Sequence, residues 1–133
     1  MKKKILLDTG FFHVYFSGSN YISKKVVEEI YANKIIAYTL DLNLAELFYT
    51  YAKVNGIQST KTKISLILSL PIKIVSTTKD LAIKAGELKI KNNNLSIVDC
   101  YLIALGETEN AEIYTTDSEI AKIYNNTNFL ERN

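Results

Sequence analysis

The segment Lys4-Ile5-Leu6-Leu7-Asp8-Thr9-Gly10 decides how this sequence folds. A short apolar run that ends at a turn signal is typical of a strand buried on both faces of a sheet. Asp8 would then lie at the carboxyl end of that strand, where open α/β sheets place their ligands. A carboxylate in such a position is costly unless another group compensates its charge. The sequence therefore predicts a functional site around Asp8.

The composition is that of an ordinary globular protein. The chain has 133 residues, of which 47% are hydrophobic and 23% charged, and its formal net charge is +2. Residues 1–133 are expected to form a single domain that is large enough to bury a core. The net charge is too small to indicate nucleic-acid or membrane binding by itself. Arg132 is the only arginine, so the sequence offers few bidentate contacts to phosphate.

The cysteine content and the start of the chain bear on the cellular compartment. Residues 2–4 are lysines, as in a signal peptide, but Asp8 interrupts the apolar segment after three residues. No run approaches the roughly 18 apolar residues of a membrane span. Cys100 is the only cysteine and His13 the only histidine, which excludes a disulfide framework and a zinc-type cluster. We therefore expect a soluble, cytoplasmic protein, in which both residues have ordinary packing roles.

Apolar runs of strand length alternate with stripes of helical spacing along the chain. Strands are predicted at residues 4–8, 35–38, 72–75, 112–115 and, at a sheet edge, 127–130. Helices are predicted around residues 24–31, 40–55, 59–70, 78–88, 96–105 and 118–124. The connections are long enough to cross over a sheet. This alternation predicts a three-layer α/β/α sandwich with a mostly parallel sheet of four to five strands.

Four carboxylates lie where water cannot easily solvate them. They are Asp8, Glu46, Asp99 and Asp117. Neighbouring strands are about 4.8 Å apart, so side chains at their ends can meet. Two carboxylates about 5 Å apart repel by roughly 3 kcal/mol at an effective dielectric of 20. The four acids must therefore take up protons, move apart or hold a cation. Oxygen ligands without cysteine or histidine favour Mg²⁺ or Mn²⁺.

Three of these acids also have a local explanation in helix capping. The pairs with the spacing of a capping box are Asn43 with Glu46, Ser96 with Asp99, and Thr116 with Glu119. The helical stripe around Glu46 begins at Leu40, before the supposed cap, which favours a functional role for Glu46. A cap at Ser96 is compatible with a ligand role for Asp99, because the positive end of a helix favours an acid in either case. Asp117 could be an ordinary acid of a first helical turn.

The order of these motifs resembles the PIN-domain family and, in chain length, the VapC-type toxin ribonucleases. The resemblance covers essentially the whole chain. It rests on Ile5–Thr9, Leu44–Leu47, Leu95–Cys100 and Thr115–Asp117, which are similar to the four acid-bearing segments of the family. Two positions depart from the family pattern. Gly10 stands where asparagine is common, and Cys100 stands where alanine is usual.

The resemblance implies a metal-dependent endoribonuclease that is the toxin of a toxin–antitoxin pair. Asp8, Glu46, Asp99 and Asp117 would be the catalytic residues and would hold one or two Mg²⁺ or Mn²⁺ ions. The hydroxyls of Thr9 and Thr115 would orient the carboxylates or the attacking water. The family resemblance also implies an RNA substrate, a homodimer and a cognate antitoxin protein laid across the active site.

The main alternative is a catalytically inactive PIN fold that binds RNA or protein. Gly10 favours it, because the missing side chain could have supported Asp8 or a metal ion. Other acid-based sites fit poorly. Asp8 has no acidic neighbour, which argues against a receiver domain, and Gly10 excludes an Asp-x-Asp phosphatase. The sequence contains neither a P-loop nor a dinucleotide-binding glycine motif.

Overall fold

A computed structural model describes residues 1–132, in which five parallel strands form one sheet between two layers of helices. The strands are β1 (Lys4–Leu7), β2 (Ile36–Leu40), β3 (Ile72–Val75), β4 (Glu112–Thr115) and β5 (Thr127–Phe129). The helices are α1 (Thr9–Phe16), α2 (Tyr21–Tyr31), α3 (Asp41–Asn55), α4 (Ile57–Ser69), α5 (Lys79–Lys91), α6 (Ile97–Glu109) and α7 (Ser118–Ile123). The predicted α/β/α sandwich with a mostly parallel sheet is confirmed.

Strand β1 lies at the centre of the sheet and is buried on both faces. Ile5 and Leu7 pack with apolar side chains of α1, α2 and α4. Leu6 points to the opposite face and packs with side chains of α5 and α6. All three side chains are at most 1% exposed. The uninterrupted apolar run is therefore explained by two separate cores that meet the same strand.

The strand order is β3-β2-β1-β4-β5. The chain builds the sheet outward from β1 to β3 and then returns to place β4 on the other side of β1. Such a reversal opens a crevice between the two strands at their carboxyl ends. Leu7 is in register with Tyr114, and the Asp8 amide donates a 3.3 Å hydrogen bond to the Tyr114 carbonyl. Asp8 therefore lies beside Thr115 in this crevice.

Several predicted boundaries differ from the structure. The second strand extends to Leu40, which is buried in the sheet, and α3 begins only at Asp41. Leu40 has the helical spacing of the apolar residues that follow it, but its apolar side chain is explained by burial at the end of β2. Helix α6 continues through Gly106 to Glu109. A Cβ atom at Gly106 would come within 3.2 Å of the Tyr124 ring, so a larger residue there would require this ring to shift.

The helices of residues 1–132 include none with the length and apolar character needed to cross a bilayer.

Candidate active site

The four candidate carboxylates line one cavity at the carboxyl edge of the sheet. The cavity has a volume of about 540 Å³. Asp8 follows β1, Glu46 lies on α3, Asp99 is in the first turn of α6, and Asp117 follows β4. Four elements that are distant along the chain thus contribute one acid each. The structure brings all four of these residues to the same cavity.

Asp8 is the most deeply buried of the four, with an exposure of 5%. Its Oδ1 accepts a 2.8 Å hydrogen bond from the Phe11 amide, so Asp8 is also the N-cap of α1. Its Oδ2 accepts a hydrogen bond from the Thr115 hydroxyl. Burial raises the pKa of Asp8 from 3.8 to about 6, although these hydrogen bonds favour the carboxylate. The fold therefore holds a carboxyl group in a place that penalises its charge.

Glu46 is oriented by Thr9. The Thr9 hydroxyl donates a 2.7 Å hydrogen bond to Glu46 Oε1 and accepts one of 3.2 Å from Asn43 Nδ2. The capping interpretation of Asn43 and Glu46 is wrong, because Leu40 occupies the N-cap position and Asn43 lies inside the helix. Asn43 is 2% exposed, and its Oδ1 has no hydrogen-bond partner within residues 1–132. Sequence analysis did not identify this buried amide oxygen as part of the site.

The Asp99 and Asp117 carboxyl groups lie close together. Burial, with a contribution from the neighbouring Asp117 carboxylate, raises the pKa of Asp99 from 3.8 to about 7. Ser96 caps α6 by accepting a 3.1 Å hydrogen bond from the Asp99 amide, as the spacing predicted. Both burial and the neighbouring acid therefore disfavour the charged form of Asp99.

Asp117 is itself the N-cap of α7. It accepts a 2.8 Å hydrogen bond from the Glu119 amide. Its own amide donates a 2.9 Å hydrogen bond to Thr115 Oγ1. The predicted cap at Thr116 is therefore wrong by one residue. Thr115 forms hydrogen bonds with both Asp8 and Asp117, and so it connects the ends of β1 and β4.

The donor chemistry of the cavity fits a hard divalent cation. Every candidate ligand is an oxygen, and the unpartnered Asn43 Oδ1 adds a neutral one. The raised pKa values of Asp8 and Asp99 indicate negative charge that protein groups leave uncompensated. However, no group of three acidic, histidine or cysteine side chains in the described chain is close enough to hold a metal ion. Within residues 1–132, the four acids thus line one cavity without forming the expected close cluster.

The family model described as "PIN domain" matches residues 5–126 of the sequence. This chain belongs to the PIN domain family. The match includes all four acid-bearing segments and most of the chain. It confirms the family resemblance that the sequence motifs indicated.

Solved structures share this PIN domain's fold at low sequence identity. VapC20 of Mycobacterium tuberculosis, described as a sarcin–ricin loop cleaving toxin, is 18% identical, with a TM-score of 0.72 over 96% of this chain and 98% of that one. VapBC2 of Rickettsia felis, bound to promoter DNA, is 17% identical, with a TM-score of 0.76 over the same shares. FitAcB of Neisseria gonorrhoeae is 14% identical, with a TM-score of 0.73 over 95% and 96%. No curated protein sequence matches the chain significantly.

His13 lines the cavity of this PIN domain, which the prediction of ordinary packing did not anticipate. Its Nε2 lies 2.8 Å from Thr50 Oγ1, and that hydroxyl donates to the Glu46 carbonyl. Burial and the charge of Arg132 lower the pKa of His13, so it is neutral at pH 7. Its position four residues after Thr9 on α1 was the available signal, because that spacing places both on one helix face.

Two further cavity residues, Thr116 and Arg132, were not identified from the sequence. Both lie at the site only because β4 and β5 are on the same side of β1. Cys100, in contrast, is completely buried in the core, as predicted. The order of the strands, rather than any local motif, thus determines which residues join the acids.

Proposed function

We propose that this PIN domain is a metal-dependent endoribonuclease. The observation that carries the proposal is the convergence of Asp8, Glu46, Asp99 and Asp117 on one cavity at the reversal of the strand order. A fold gains no stability from burying acids such as Asp8 and Asp99, whose pKa values are raised. The arrangement becomes favourable when one or two Mg²⁺ or Mn²⁺ ions neutralise the charge. We assign these four residues as the metal-binding and catalytic set.

The proposed chemistry is hydrolysis of an RNA phosphodiester bond that leaves a 5′-phosphate and a 3′-hydroxyl. A bound metal ion supplies polarisation of the phosphoryl oxygen and a lower pKa for its water. Thr9 holds the Glu46 carboxylate through its hydroxyl, and Thr115 holds Asp8 in the same way. These contacts keep the two carboxylates oriented, which is the function of supporting groups around a metal.

The proposal extends to partners. Structural neighbours of this fold include a toxin–antitoxin complex from Klebsiella pneumoniae and VapBC complexes. We propose that this chain is likewise the toxin of such a pair, active on RNA in the cytoplasm as a homodimer until an antitoxin protein covers the cavity. Adding the product of the neighbouring gene to a cleavage assay tests the antitoxin, and light scattering of the purified chain tests the dimer.

The assignment is tested by RNA cleavage in excess Mg²⁺ or Mn²⁺. We expect Asp8→Asn and Asp99→Asn to reduce the cleavage rate by about a thousandfold, because each removes a charged ligand. Glu87→Gln is the matched control, since Glu87 is an exposed acid of α5 outside the cavity. Equal rates for the wild type and all three variants would contradict the catalytic assignment.

An inactive RNA- or protein-binding module is the second candidate. It is favoured by Gly10 and by the absence of a preformed three-residue metal group within residues 1–132. Thermal melts with and without Mn²⁺ separate the two functions. A metal at 100 times its dissociation constant should stabilise an intact site by about 2.7 kcal/mol. An unchanged melting temperature at millimolar Mn²⁺ would favour the binding module.

A further inference from the structure

We propose that Arg132 is the residue of this cavity that binds the RNA backbone, through the phosphate next to the cleaved bond. The inference rests on the proposed nuclease function and adds to it a specific contact with the substrate. Arg132 follows β5 and lines the same cavity as the four acids. It carries the only guanidinium group of the chain.

The position of Arg132 at the cavity depends on its contacts with Thr116 and on the absence of a side chain at Gly10. A Cβ atom on Gly10 would overlap the Thr116 hydroxyl and would lie 3.1 Å from Arg132 Nη2. The missing side chain therefore allows Thr116 to pack against α1. Thr116 Oγ1 accepts a 3.2 Å hydrogen bond from Arg132 Nε. The departure of Gly10 from the family pattern thus creates the space that Thr116 and Arg132 occupy.

Thr116 lies between this guanidinium and the buried acid. The Thr116 amide lies beside the Asp8 carboxylate, and the Thr116 hydroxyl accepts a hydrogen bond from Arg132 Nε. A phosphate held by Arg132 would therefore lie in the same cavity as the carboxylates.

The terminal nitrogens of Arg132 are available for a ligand. Within residues 1–132 the side chain forms no ion pair, although four carboxylates line the same cavity. Its Nε hydrogen bond to Thr116 orients the guanidinium, and within residues 1–132 Nη1 and Nη2 form no further hydrogen bond. A planar group with two parallel N–H donors matches two oxygens of one phosphate.

Charge also favours this assignment. Considering only residues 1–132, no lysine lines the cavity, and His13 is neutral at pH 7. Arg132 is therefore the one permanent positive side chain at a cavity that must admit a polyanion. The metal ions would compensate the carboxylates, and the guanidinium remains to compensate the phosphate.

The test compares the steady-state cleavage of a single-stranded RNA by the wild type, Arg132→Gln and Arg132→Lys. We expect Arg132→Gln to reduce kcat/KM by about 10- to 100-fold, mainly through a higher KM, because a charged hydrogen bond is lost. Arg132→Lys should recover only part of this loss, since lysine is a point charge. For RNA binding, the logarithm of the association constant falls linearly with the logarithm of the salt concentration. Loss of one phosphate contact should also make this slope shallower by about 0.7.

Matched variants separate a specific contact from a general effect of charge. Lys34→Gln removes the same charge from an exposed position before β2, at the opposite edge of the sheet, and should change neither KM nor the salt dependence. Thr116→Ala should raise KM, whereas Thr116→Ser keeps the hydroxyl and should not. A wild-type KM and salt dependence in Arg132→Gln would overturn the inference.

The inference and the proposed function can fail separately. If the wild type cleaves RNA and Arg132→Gln cleaves it equally well, only the role of Arg132 is wrong. If the wild type does not cleave RNA, the nuclease proposal is wrong, and fluorescence anisotropy of the same RNA decides the role of Arg132. Weaker binding by Arg132→Gln than by Lys34→Gln would then support the phosphate contact, and equal binding would exclude it.

Discussion

The two edges of the sheet treat their acids in opposite ways. At the amino edge, Glu112 lies 2.6 Å from Lys3 and Glu109 lies 3.3 Å from Lys4. At the carboxyl edge, Asp99 lies beside Asp117, and Asp8 is buried without a cationic partner in the described chain. The acids of the amino edge are paired with lysines, whereas the acids of the cavity form no ion pair within residues 1–132.

The pKa values express the same difference. Glu112 raises the pKa of Lys3, because each charge stabilises the other. Burial raises the pKa of Asp8 and Asp99, because their surroundings favour the neutral form. The carboxyl edge therefore reduces the stability of the metal-free fold. That cost is typical of a site arranged for chemistry rather than for folding.

The largest expected effect is on catalysis. Asp117→Asn should reduce metal-dependent RNA cleavage by about a thousandfold, or about 4 kcal/mol of activation free energy, because a ligand charge is lost. Glu112→Gln should change the same rate less than twofold, because it removes an acid of the amino edge. Initial rates under saturating Mn²⁺ measure both. Comparable losses in the two variants would show that the edges do not differ in function.

The next effect is on stability in the absence of metal. The pKa of Asp8 is about 6 in the native state, against 3.8 for the ordinary group, so the native state binds more protons between these values. The contribution of Asp8 to stability is fully present below pH 3.8 and is lost as the pH rises through about 6. The difference corresponds to about 3 kcal/mol in the free energy of unfolding.

Denaturant unfolding in EDTA between pH 4 and pH 8 measures this loss. The Asp8→Asn variant has no ionisable group at this position. Its free energy of unfolding should therefore fall by about 3 kcal/mol less than that of the wild type over the same pH range. If the wild type and Asp8→Asn lose the same stability over this pH range, the carboxyl edge carries no uncompensated charge at Asp8.

A smaller effect, on Mn²⁺ affinity, is expected when a positively charged side chain is introduced at the carboxyl edge. Tyr49 is 57% exposed on α3 and lines the cavity three residues from Glu46. Tyr49→Lys would place an ammonium group near Glu46 and should weaken Mn²⁺ binding by about tenfold, or about 1.4 kcal/mol. Tyr49→Gln controls for the lost ring. Calorimetric titration with Mn²⁺ gives both affinities, and unchanged binding in Tyr49→Lys would contradict the proposed metal site.

The smallest effect is on the ion pair of the amino edge. Lys3 is more than half exposed, so its pair with Glu112 is screened by water. Glu112→Gln should therefore lower the free energy of unfolding by less than about 1 kcal/mol at pH 7. Chemical denaturation at two salt concentrations checks this. A loss of several kcal/mol would mean that both edges depend strongly on charge.

Local patterns predicted most of the fold. Residues 72–75 and 112–115 are strands with the predicted bounds, because a short apolar run between turn signals has few other solutions. Gly56 ends α3 with a φ of 85°, which favours glycine. The errors were at Leu40 and Gly106, where contacts with distant residues override helical spacing and the usual role of glycine at a helix end.

The candidate site was predictable only in part. Asp8 and Asp117 follow strands, and a charge at the end of a buried strand is visible in one sequence. Glu46 was recognised because an acid interrupts an apolar helix face. Thr116 and Arg132 gave no such signal, because a threonine beside a cap and an exposed arginine are ordinary residues until the strand order brings them to Asp8.

The period of the apolar residues and the cost of burying a charge are enough to predict the layers of this PIN domain and the identity of its unusual acids. Which residues meet at the site depends instead on long-range packing. The order β3-β2-β1-β4-β5 sets Thr115 against Asp8 and brings Arg132 to Thr116 beside Gly10. Strand order depends on how two complete helical layers pack against one sheet, and no local segment of the chain contains that information.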